Sequence, residues 1–543
     1  MTEQKTSRTA TKPGDPRVGA LRLGIDVGGT NTDAVLLAPG GEVLATAKTA
    51  TTEDISTGVS GAIREVLRTS ACRPEDVGSA MLGTTHATNA ILERKNLDRV
   101  AVLRIGSPAG HGIPPLYGWP ADLSAAVASD VALVPGGFEF TGREIVPFDP
   151  QAVRSFLESI EERPAGFAIV GIFAPTKDAH ELAAADLVRE RFGDVDISLS
   201  SEVGGIGLIE RENATVLNAT LKAAAREALR GFEEALNAQG MTPRMLFAQN
   251  DGTLMSIEQA LRTPVLTIGS GPSNSIRGAA QLVGAASGIV ADVGGTTTDI
   301  GVLVGGLPRE SYAGRMIGGV RTNFRMPDIV TVAIGGGTVI RRIDGAVRLG
   351  PDSVGWRLRD EALVFGGSTP TLTDAAVHAG RMSLGDPTLL SGHEDLLEEA
   401  IAESDRIIAN AVDQAKISRE LAPLIVVGGG RAIVPPDLPG VEVVPTPSHF
   451  DVANAVGAAS AAIGAEAESV IPLDAQRAAR VAELRREAID RAVAAGADPA
   501  RAEIVSIEET PLAYLTPPAV RYRMRAAGAI RPLSSSAVQG GAR

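Results

Sequence analysis

Two stretches of the sequence share a residue pattern that is suited to holding a phosphate group. Residues 25–37 read IDVGGTNTDAVLL and residues 291–303 read ADVGGTTTDIGVL, so both contain D-V-G-G-T-x-T-D and align without a gap. Paired glycines let backbone N–H groups approach an anion because no Cβ stands in the way, and threonine hydroxyls add further donors. The chemistry that these residues favour is the binding of a nucleotide's phosphates.

The candidate phosphate ligands are the glycines and threonines of the two turns. They are Gly28, Gly29, Thr30, Thr32, Gly294, Gly295, Thr296 and Thr297. Asp26 and Asp292 each stand at the end of the strand before a turn, where a carboxylate can hold a hydrated Mg²⁺ that also contacts phosphate. Both are therefore candidate metal ligands and catalytic residues. One such turn alone is as typical of an ordinary glycine-rich hairpin, whereas two copies indicate one nucleotide held between two similar domains.

Strands are predicted on both sides of each turn. Apolar runs precede the turns at 21–25 and 288–291 and follow them at 34–37 and 300–304. Gly-Gly suits the tip of a hairpin, where positive φ is required. A Rossmann fingerprint or a P-loop would instead run from a strand into a helix, so neither fits. Strands and helices are predicted to alternate along most of the remaining chain, which favours a layered α/β fold with a largely parallel sheet.

A polar segment, GTTHATN at residues 83–89, is a second candidate site. It is predicted to be a loop between a strand and a helix. Ligands of open α/β sheets lie beyond the carboxyl ends of strands, so Thr85, His86 and Asn89 are candidate catalytic residues that would orient a substrate. Threonine and asparagine also cap helices, and Thr88 or Asn89 could serve only that purpose.

Four further segments contain residues that suit an anion. Glycine runs at 335–337 and 428–430 would either approach a ligand closely or form ordinary tight turns. The candidate ligands in these runs are Gly335, Gly336, Gly428 and Gly429. The SGPS sequence at 270–273 precedes a predicted helix and would either bind an anion or simply begin that helix. A predicted helix at 209–219 has a polar face that is either solvated or uses Arg211 to bind a carboxylate or phosphate.

The composition limits the partners of the chain. With 543 residues, of which 44% are hydrophobic and 21% charged, the chain should form two or more domains. Its net charge of −14 argues against nucleic acid, whose binding depends on neutralising phosphates with basic residues. A single cysteine excludes an intrachain disulfide and a cysteine-based zinc site. Neither a secretory signal nor a membrane span is recognisable, so a cytoplasmic location is expected.

The predicted domain organisation follows from these segments. Residues 1–20 are polar and are expected to form a disordered tail. Residues 21–205 and 206–465 are predicted to form two similar domains, with one glycine–threonine turn in each. Residues 466–543 form a C-terminal extension without a readable role. The alanine- and glycine-rich segment at 447–464 predicts a helix that packs tightly against another helix, since small residues let backbones approach closely.

Several collinear motifs resemble those of the hydantoinase A/5-oxoprolinase family. GTTHATNAILER at 83–94 is similar to the family's GTT-x-ATNA-x-x-ER, and SGPSNSIRGA at 270–279 is similar to its SGPAGG-x-x-GA. DVGGTTTD at 292–299 is similar to DMGGTSTD, and TPTLTDA at 369–375 contains a counterpart of PTVTDA. SEVGGIGLIERENATVLNATL at 201–221 is similar to a serine–glutamate strand followed by E-R-x-x-T-x-x-NA.

This resemblance extends from about residue 21 to residue 464, and it implies a fold, cofactors and a reaction. The family belongs to the actin/sugar-kinase/Hsp70 ATPase superfamily, which implies an α/β fold of two RNase-H-like (actin-like ATPase) domains around an interdomain nucleotide cleft. ATP and Mg²⁺ are the implied cofactors. The implied activity is that of a hydrolase that opens a cyclic amide, such as a hydantoin, 5-oxoproline or a lactam, after phosphorylating its carbonyl oxygen.

The chain departs from the family pattern at two motifs. The family's D-x-H-T-x-GAGGGS appears at 328–338 without its histidine, and its CYGRGG appears at 363–368 without its cysteine. The chain is also expected to end before regions that longer members contain. A second (B-type) subunit or another partner protein would then complete the reaction, and self-association is a further option. The alternative functions are a small-molecule kinase and a non-enzymatic, ATP-gated regulator of a partner protein.

Overall fold

The computed structural model describes most of the chain between residues 20 and 531. The described residues are 20–29, 31–52, 55–311, 314–323, 326–513 and 515–531. The predicted phosphate ligand Thr30 lies outside them, as does the tail predicted for residues 1–20 apart from its last residue. Among the described helices, none combines the length and the apolar character that crossing a bilayer requires.

Strands and helices alternate through the described residues in a mixed α/β fold. The strands are β1 (Leu21–Val27), β2 (Asn31–Leu37), β3 (Val43–Ala50), β4 (Val77–Thr84), β5 (Val100–Ser107), β6 (Ala128–Pro135), β7 (Gly166–Gly171), β8 (Asp196–Leu199), β9 (Arg244–Ala248), β10 (Leu254–Ser256), β11 (Gly288–Val293), β12 (Thr298–Val304), β13 (Leu307–Pro308), β14 (Met316–Ile317), β15 (Val320–Arg321), β16 (Ile329–Val332), β17 (Thr338–Ile343), β18 (Ala346–Ser353), β19 (Ala422–Val427), β20 (Val441–Val443), β21 (Ile463–Pro472), β22 (Glu503–Leu512) and β23 (Ala519–Gly528). The helices are α1 (Ile55–Ser70), α2 (His86–Glu93), α3 (Ala121–Val127), α4 (Pro150–Ser159), α5 (Ala179–Phe192), α6 (Ser200–Val203), α7 (Leu208–Thr220), α8 (Lys222–Asn237), α9 (Ile257–Arg262), α10 (Ser270–Val283), α11 (Leu358–Glu361), α12 (Leu372–His378), α13 (Glu394–Ala415), α14 (Ala453–Ser460) and α15 (Arg477–Ala494).

The first glycine–threonine turn belongs to a nine-stranded sheet. Its strand order is β22-β23-β21-β10-β9-β4-β1-β2-β3. Strand β1 pairs antiparallel with β2 and parallel with β4, which confirms the first predicted hairpin. Leu23 and Ile25 of β1 belong to the core formed with α1 and α8, whereas a Cβ at Gly24 would lie 2.2 Å from the Ala455 carbonyl oxygen in α14. Because side chains alternate along a strand, Asp26 is on the α14 face.

The second turn belongs to a six-stranded sheet with the same hairpin. Strand β11 pairs antiparallel with β12 and parallel with β19, and β16 and β13 pair with β12. Ala291 and Val293 belong to a core that includes residues of α12 and α13. Val290 packs with residues of α10, so Asp292 is on the α10 face of this sheet. Each hairpin therefore places its first aspartate toward a helix that lies between the two sheets.

Helices α10 and α14 form the layer between the sheets. Helix α14 packs on β1 and β2, and α10 packs on β11 and β12. The two helices approach closely at glycines: a Cβ at Gly278 would lie 1.8 Å from the carbonyl oxygen of Ala453, and one at Gly457 would lie 1.8 Å from that of Asn274. The tight helix packing predicted for residues 447–464 is thus confirmed, although the helix itself is confined to α14.

Sheet membership does not follow the predicted domain division. The nine-stranded sheet takes β1–β4 from the first predicted unit, β9 and β10 from the second, and β22 and β23 from the C-terminal extension, with β21 at the boundary. Strands β5 to β8 form a separate parallel sheet in the order β6-β5-β7-β8. The C-terminal residues therefore complete the sheet that contains the first hairpin. The domain boundaries themselves remain a prediction.

The segment predicted to be a loop at 83–89 contains regular structure, and so does the glycine- and proline-rich segment after β5. Gly83 and Thr84 belong to β4, and the helix after it begins at His86 rather than at residue 90, so the predicted loop at 83–89 is wrong. Residues 107–148 contain α3 and the eight-residue β6. Among the described strands, β6 pairs with β5 alone and is half-exposed. Its sequence does not show the alternation of apolar and polar residues that indicates a half-buried strand.

Helix α7 is buried, although its polar residues suggested a solvated face or an anion site. Arg211 is 0% exposed and donates hydrogen bonds to the hydroxyl of Ser200 and to backbone carbonyls, which include that of Gly171 at 2.5 Å. Asn213 accepts a hydrogen bond from the indole of Trp119 at 2.7 Å. Because these donors are used within the protein, Arg211 is a structural residue and the predicted anion role is wrong.

Glu212 forms a buried ion pair with Arg104 of β5. Arg104 Nε and Nη2 donate to Glu212 Oε2 and Oε1 at 2.5 and 2.7 Å, and both side chains are fully buried. The same carboxylate accepts from the Leu116 N–H at 3.1 Å. The pair thereby fixes the glycine- and proline-rich segment after β5 against α7.

We expect Glu212→Ala to lower the free energy of unfolding by about 3–5 kcal/mol, because it leaves the Arg104 guanidinium buried without its counter-ion. The double variant Arg104→Met/Glu212→Leu removes both charges and should recover most of that loss. Urea denaturation measures both effects. Glu65→Ala, which breaks the exposed pair with Arg68, is the control and should change little. Equal losses in the single and double variants would contradict the charge explanation.

Candidate functional site

Four aspartates of the two hairpins form one group, which we call the aspartate cluster. Asp26 lies opposite Asp33 in the first hairpin, and Asp292 lies opposite Asp299 in the second. The cluster therefore contains both the first and the last aspartate of each D-V-G-G-T-x-T-D motif. Sequence analysis assigned a role only to Asp26 and Asp292, although the repeated motif already contained the other two.

Adjacent residues of α10 connect the two halves of the cluster. The Asn274 amide lies 3.5 Å from Asp26 Oδ1, and the Ser275 hydroxyl donates to Asp292 Oδ2 at 2.7 Å. Asn454 of α14 approaches the other oxygen of Asp26 at 3.4 Å. The predicted proximity of Asp26 and Asp292 is thus supported by contacts to neighbouring residues of one helix. Asn274 and Ser275 lie within the SGPSNSIRGA motif, but neither that motif nor the sequence around Asn454 shows which of their residues face the aspartates.

Burial dominates the electrostatics of the cluster. Desolvation and, to a smaller extent, the negative charge of Asp33 raise the pKa of Asp26 from 3.8 to about 6, against hydrogen bonds from the two asparagines, which lower it. The pKa of Asp292 is also raised to about 6, mainly by burial and in part by Asp299, although the Ser275 hydroxyl lowers it. The charge of Asp292 contributes to the raised pKa of Asp26, so the two hairpins interact electrostatically.

The second turn directs backbone N–H groups outward. The Gly294 and Gly295 carbonyl oxygens accept hydrogen bonds from the N–H groups of Gly336 at 3.0 Å and Gly337 at 2.7 Å. In a trans peptide the following N–H points away from the carbonyl. The amides of Gly295 and Thr296 therefore face away from these glycines, and in the described residues neither donates to a protein acceptor. Such exposed amides can bind an anion.

The first turn has the same backbone hydrogen bond as the second turn, but one of its threonines points away from the position that a phosphate would occupy. The Gly28 N–H donates to the Asn31 carbonyl at 3.0 Å, as Gly294 does to Thr297 at 2.9 Å. Thr32 is 1% exposed, and its hydroxyl lies 3.3 Å from that of Thr51. Thr32 is therefore not available to a phosphate. Gly28, Gly29, Thr296 and Thr297 are at least partly exposed and remain candidate ligands.

The two glycine runs support the second hairpin directly. A Cβ at Gly335 would lie 2.6 Å from the Gly295 carbonyl carbon, and one at Gly428, where φ is +88°, would lie 2.4 Å from the Val293 carbonyl oxygen. The Gly430 N–H also donates to that Val293 oxygen at 2.8 Å. Close backbone packing on the hairpin thus explains Gly335 and Gly428, whereas a Cβ at Gly336 would lie 3.0 Å from the hydroxyl oxygen of Thr373. Gly429 faces open space and remains a candidate ligand.

The candidate residues of the 83–94 segment point in different directions. The Thr85 hydroxyl donates to the Val27 carbonyl at 3.3 Å, and Gly271 of α10 is close to the Thr85 methyl group, so Thr85 lies near the first turn. Asn89 has a half-buried side chain for which the structure defines no role, and its catalytic role remains a prediction. The Thr88 hydroxyl donates to the Ile268 carbonyl at 2.5 Å and does not cap the helix.

His86 lies away from the aspartate cluster. A Cβ at Gly83 would lie 2.4 Å from Asp26 Oδ1, so the next side chain, Thr84, points to the opposite face of the sheet. His86 Nδ1 is 2.8 Å from the Thr84 hydroxyl, and its ring lines a mainly apolar cavity of about 20 Å³ with residues of α8 and α9. Burial lowers the pKa of His86. The structure therefore separates His86 from the aspartate cluster, and its role in orienting a substrate remains a prediction.

We expect His86→Leu to change nucleotide affinity by less than about twofold, because the imidazole lines an apolar cavity rather than the aspartate cluster. Leucine replaces a half-buried polar ring by an apolar side chain, so the melting temperature should hold or rise slightly. Titration calorimetry with ATP and a thermal melt measure the two effects. A tenfold loss of ATP affinity with an unchanged melting temperature would show that His86 does contribute to the nucleotide site.

The SGPS segment begins helix α10 and binds protein groups. The Ser270 hydroxyl donates to the Thr84 carbonyl at 3.4 Å, and that of Ser273 donates to the Asn250 carbonyl. Both serines are fully buried, which favours the helix-start interpretation over the anion site. Among the residues that the structure describes, no three histidine, cysteine or acidic side chains are grouped as a metal site.

The fold and the site define an α/β protein in which two copies of one glycine–threonine hairpin meet across a shared pair of helices. Residues 22–192 match the sequence profile of the hydantoinase/oxoprolinase N-terminal region, and residues 211–422 match that of hydantoinase/oxoprolinase. The chain belongs to the hydantoinase/oxoprolinase family. The family resemblance predicted from the sequence motifs is thereby confirmed.

Two curated relatives are subunits of larger enzymes. The chain is 27% identical over 418 residues to the acetophenone carboxylase gamma subunit of Aromatoleum aromaticum, a match that covers 70% of this chain and 56% of the relative. It is 29% identical over 411 residues to the caprolactamase subunit alpha of Pseudomonas jessenii, covering 71% of this chain and 58% of the relative. The chain therefore spans little more than half the length of these relatives.

A solved structure has a similar fold. The crystal structure of the ATP-dependent caprolactamase from Pseudomonas jessenii superposes with a TM-score of 0.73 at 20% sequence identity. The match covers 94% of this chain and 88% of that one. The superposition includes the great majority of the described strands and helices, so the arrangement of sheets and central helices is common to both proteins.

Proposed function

We propose that this chain binds ATP between its two hairpins and transfers the terminal phosphoryl group to the carbonyl oxygen of a cyclic amide, such as a hydantoin, 5-oxoproline or a lactam. The observation that carries the proposal is the aspartate cluster, in which both hairpins meet at adjacent residues of α10. The outward amides of Gly295 and Thr296 supply donors for phosphate oxygens beside it. Family membership and the fold shared with an ATP-dependent caprolactamase support this reaction class.

The proposed arrangement is that of two RNase-H-like domains of the actin-like type, with the nucleotide between them. Each glycine–threonine turn connects the first two strands of its sheet, and each sheet rests on one of the two central helices. A change in the angle between α10 and α14 would move one turn relative to the other. Closure of this kind would exclude water from the phosphates.

The residues of the cluster fit Mg²⁺. Asp26 and Asp292 would hold the ion directly or through water, and two carboxylates with water suffice for an ion that also binds phosphate. Both carboxyls are desolvated, and within the described residues the side chains that donate hydrogen bonds to them are neutral amides and a hydroxyl. Bound Mg²⁺ would neutralise charge on the phosphates.

In the proposed reaction the amide oxygen attacks the terminal phosphorus. A new P–O bond forms, the bond from phosphorus to the leaving oxygen breaks, and ADP departs with that electron pair, while the amide nitrogen gives up its proton. The O-phosphorylated amide has a carbon that water can attack, because phosphate is a better leaving group than the original oxygen. One water adds to that carbon, the ring C–N bond breaks and the nitrogen leaves after taking a proton, so a ring-opened acyl phosphate forms. A second water hydrolyses the acyl phosphate, and the products are the ring-opened acid, ADP and phosphate.

We infer that the ring-opening half-reaction requires a partner protein. Two relatives are themselves subunits, the gamma subunit of acetophenone carboxylase and the alpha subunit of caprolactamase, which supports this inference. The interpretation is that this chain carries out phosphorylation and passes the activated substrate to a second subunit. Caprolactam and acetophenone, named in those relatives, both contain a carbonyl oxygen that could accept the phosphoryl group, so a ketone is the second substrate class to test.

The test is an ATPase assay with a panel of hydantoins, 5-oxoproline, lactams and aryl ketones, with and without a candidate partner encoded by a neighbouring gene. We expect one class to stimulate ADP release and mass spectrometry to detect a ring-opened acid only with the partner. A stable phosphoester would instead favour a kinase. Slow ATP turnover that responds to the partner but to no small molecule would favour a regulator and overturn the proposal.

A further inference from the structure

The third strands of the two hairpin sheets break the internal symmetry at one position. Strand β3 pairs with β2 so that Lys48 lies opposite Asp33, and β16 pairs with β12 so that Thr331 lies opposite Asp299. Lys48 and Thr331 therefore occupy equivalent positions in the two halves. One half thus adds a positive charge to the aspartate cluster where the other adds a neutral hydroxyl.

Both side chains hold their neighbouring aspartate at the same distance. Lys48 Nζ donates to Asp33 Oδ1 at 2.6 Å, and the Thr331 hydroxyl donates to Asp299 Oδ1 at 2.6 Å. Holding the aspartate thus does not require a lysine. The Lys48 side chain is 37% exposed while that of Asp33 is 13% exposed, so the ammonium lies at the open side of the pair.

The position of Lys48 relative to the cluster follows from the strand pairing. Asp33 is on the same face of β2 as Val35, which packs against α14, and residues directly opposite on neighbouring strands share a face. Lys48 therefore points to the side on which Asp26 lies. Its charge also lowers the pKa of Asp292 in the second hairpin, so the ammonium acts across the space between the hairpins.

The groups that face this ammonium are mainly acidic. They are Asp33, which the ammonium contacts, and Asp292, and the charge of Asp451, which precedes α14, acts on Asp33 from the same side of the cluster. Among the described residues, Lys48 is the cation that acts on both Asp33 and Asp292. An ammonium has three N–H donors, and the contact with Asp33 uses one. The other donors and the exposed position suit a second anionic partner.

We propose that Lys48 binds the terminal phosphate of the nucleoside triphosphate, and that the triphosphate lies with this end over the first hairpin. The inference rests on the proposed function and adds an orientation to it. The terminal phosphate carries more negative charge than an internal phosphate, so it gains most from the half of the site that contains the ammonium. A lysine ammonium binds phosphate as a point charge without a fixed geometry.

The experiment compares the affinities of the full chain for a non-hydrolysable ATP analogue and for ADP, both with Mg²⁺, by titration calorimetry. Lys48→Thr installs the residue that the second hairpin has at this position. We expect this substitution to lower the affinity for the analogue by about 10-fold to 100-fold, which corresponds to the loss of a hydrogen bond to a charged group. The affinity for ADP should change by less than about twofold. Lys48→Arg keeps the charge and should preserve most of the discrimination.

Control variants separate phosphate binding from the pairing with Asp33. Lys48→Thr leaves Asp33 without its cation, so Asp33→Asn/Lys48→Thr removes both charges. The double variant should still fail to favour the analogue over ADP if Lys48 contacts the terminal phosphate. Thr331→Val removes the equivalent contact in the second hairpin and should affect both nucleotides equally. Thermal melts establish that each variant is folded.

Two results would overturn the inference in different ways. Lys48→Thr could lower the affinity for both nucleotides equally, with both affinities restored in the double variant. Lys48 would then be only the counter-ion of Asp33, and the proposed function would be unaffected. If the wild-type chain binds neither nucleotide, the proposed function fails and this inference fails with it.

Discussion

Asp292→Asn and Asp26→Asn should each lower the rate of phosphoryl transfer by roughly a thousandfold, while the protein remains folded. Each substitution removes a carboxylate from a site that must hold a cation and phosphates, and loss of one such electrostatic contact costs two to three orders of magnitude. The measurement is substrate-stimulated ADP release by the chain together with its partner. Nucleotide affinity in the presence of Mg²⁺ should fall as well.

The same substitutions should make the metal-free protein more stable at neutral pH. Burial raises the pKa of each carboxyl from 3.8 to about 6, so the folded state binds more protons than the unfolded state between these values. The stability that each group contributes is complete below about pH 4 and is lost as the pH rises through 6. Removal of one ionisable group should therefore raise the free energy of unfolding at pH 7 by up to about 3 kcal/mol.

Asp76→Asn is the matched control for the aspartate variants. Asp76 is also buried, but it pairs with Arg73 at the start of a short helical turn before β4. Its substitution should lower stability without lowering the rate per folded molecule. If Asp26→Asn or Asp292→Asn keeps full activity, that aspartate has no role in the proposed mechanism. The same holds if the variant loses stability, as Asp76→Asn should, but keeps its rate per folded molecule.

Gly278→Ala is expected to destabilise the protein by about 4 kcal/mol or more, and Gly457→Ala by a similar amount. In each case the new Cβ would lie 1.8 Å from a carbonyl oxygen of the opposing helix, a backbone atom that can move only if α10 and α14 separate. Overpacking of a core usually costs 1–3 kcal/mol, and a backbone clash exceeds that range. Denaturant titration monitored by circular dichroism gives the loss directly.

Gly61→Ala in α1 is the control for these helix variants. No atom other than its own helix and chain neighbours lies within 4 Å of a Cβ at this position, so alanine should stabilise the helix by about 0.5–1 kcal/mol through its better propensity. Because α10 positions Asn274 and Ser275 at the aspartate cluster, Gly278→Ala should also reduce nucleotide affinity in any molecules that fold. Wild-type stability in Gly278→Ala would show that the two helices do not pack as closely as the structure indicates.

Much of the local structure could be predicted because it depends on neighbouring residues. The two hairpins follow from paired glycines between apolar runs, and the amphipathic helices α1 and α13 follow from the helical periodicity of their apolar residues. The membership of strands in sheets could not be predicted in this way. Strand β21 pairs with β10, where Ile463 lies opposite Leu254, and such pairing between distant parts of the chain depends on the whole fold.

Side-chain direction was the feature that the sequence predicted least well. His86 and Thr85 are adjacent in the sequence, yet only Thr85 lies near the first turn, because His86 opens a helix on the other face of the sheet. Arg211 looked solvated because its helix is rich in polar residues, but these residues satisfy buried carbonyls of surrounding loops. A sequence pattern shows that a residue is polar without showing which buried group requires it.

The sequence by itself determined that this protein contains two copies of one phosphate-type hairpin and belongs to one family, since both conclusions depend on short, contiguous motifs. Only the tertiary structure decided which side chains share the site. Asn274 meets Asp26 across 248 positions of chain, and Lys48 acts on Asp292 in the opposite hairpin. The physical reason is that the packing of α10 against α14 and the pairing of β3 with β2 determine these contacts, and neither is encoded in a local repeat.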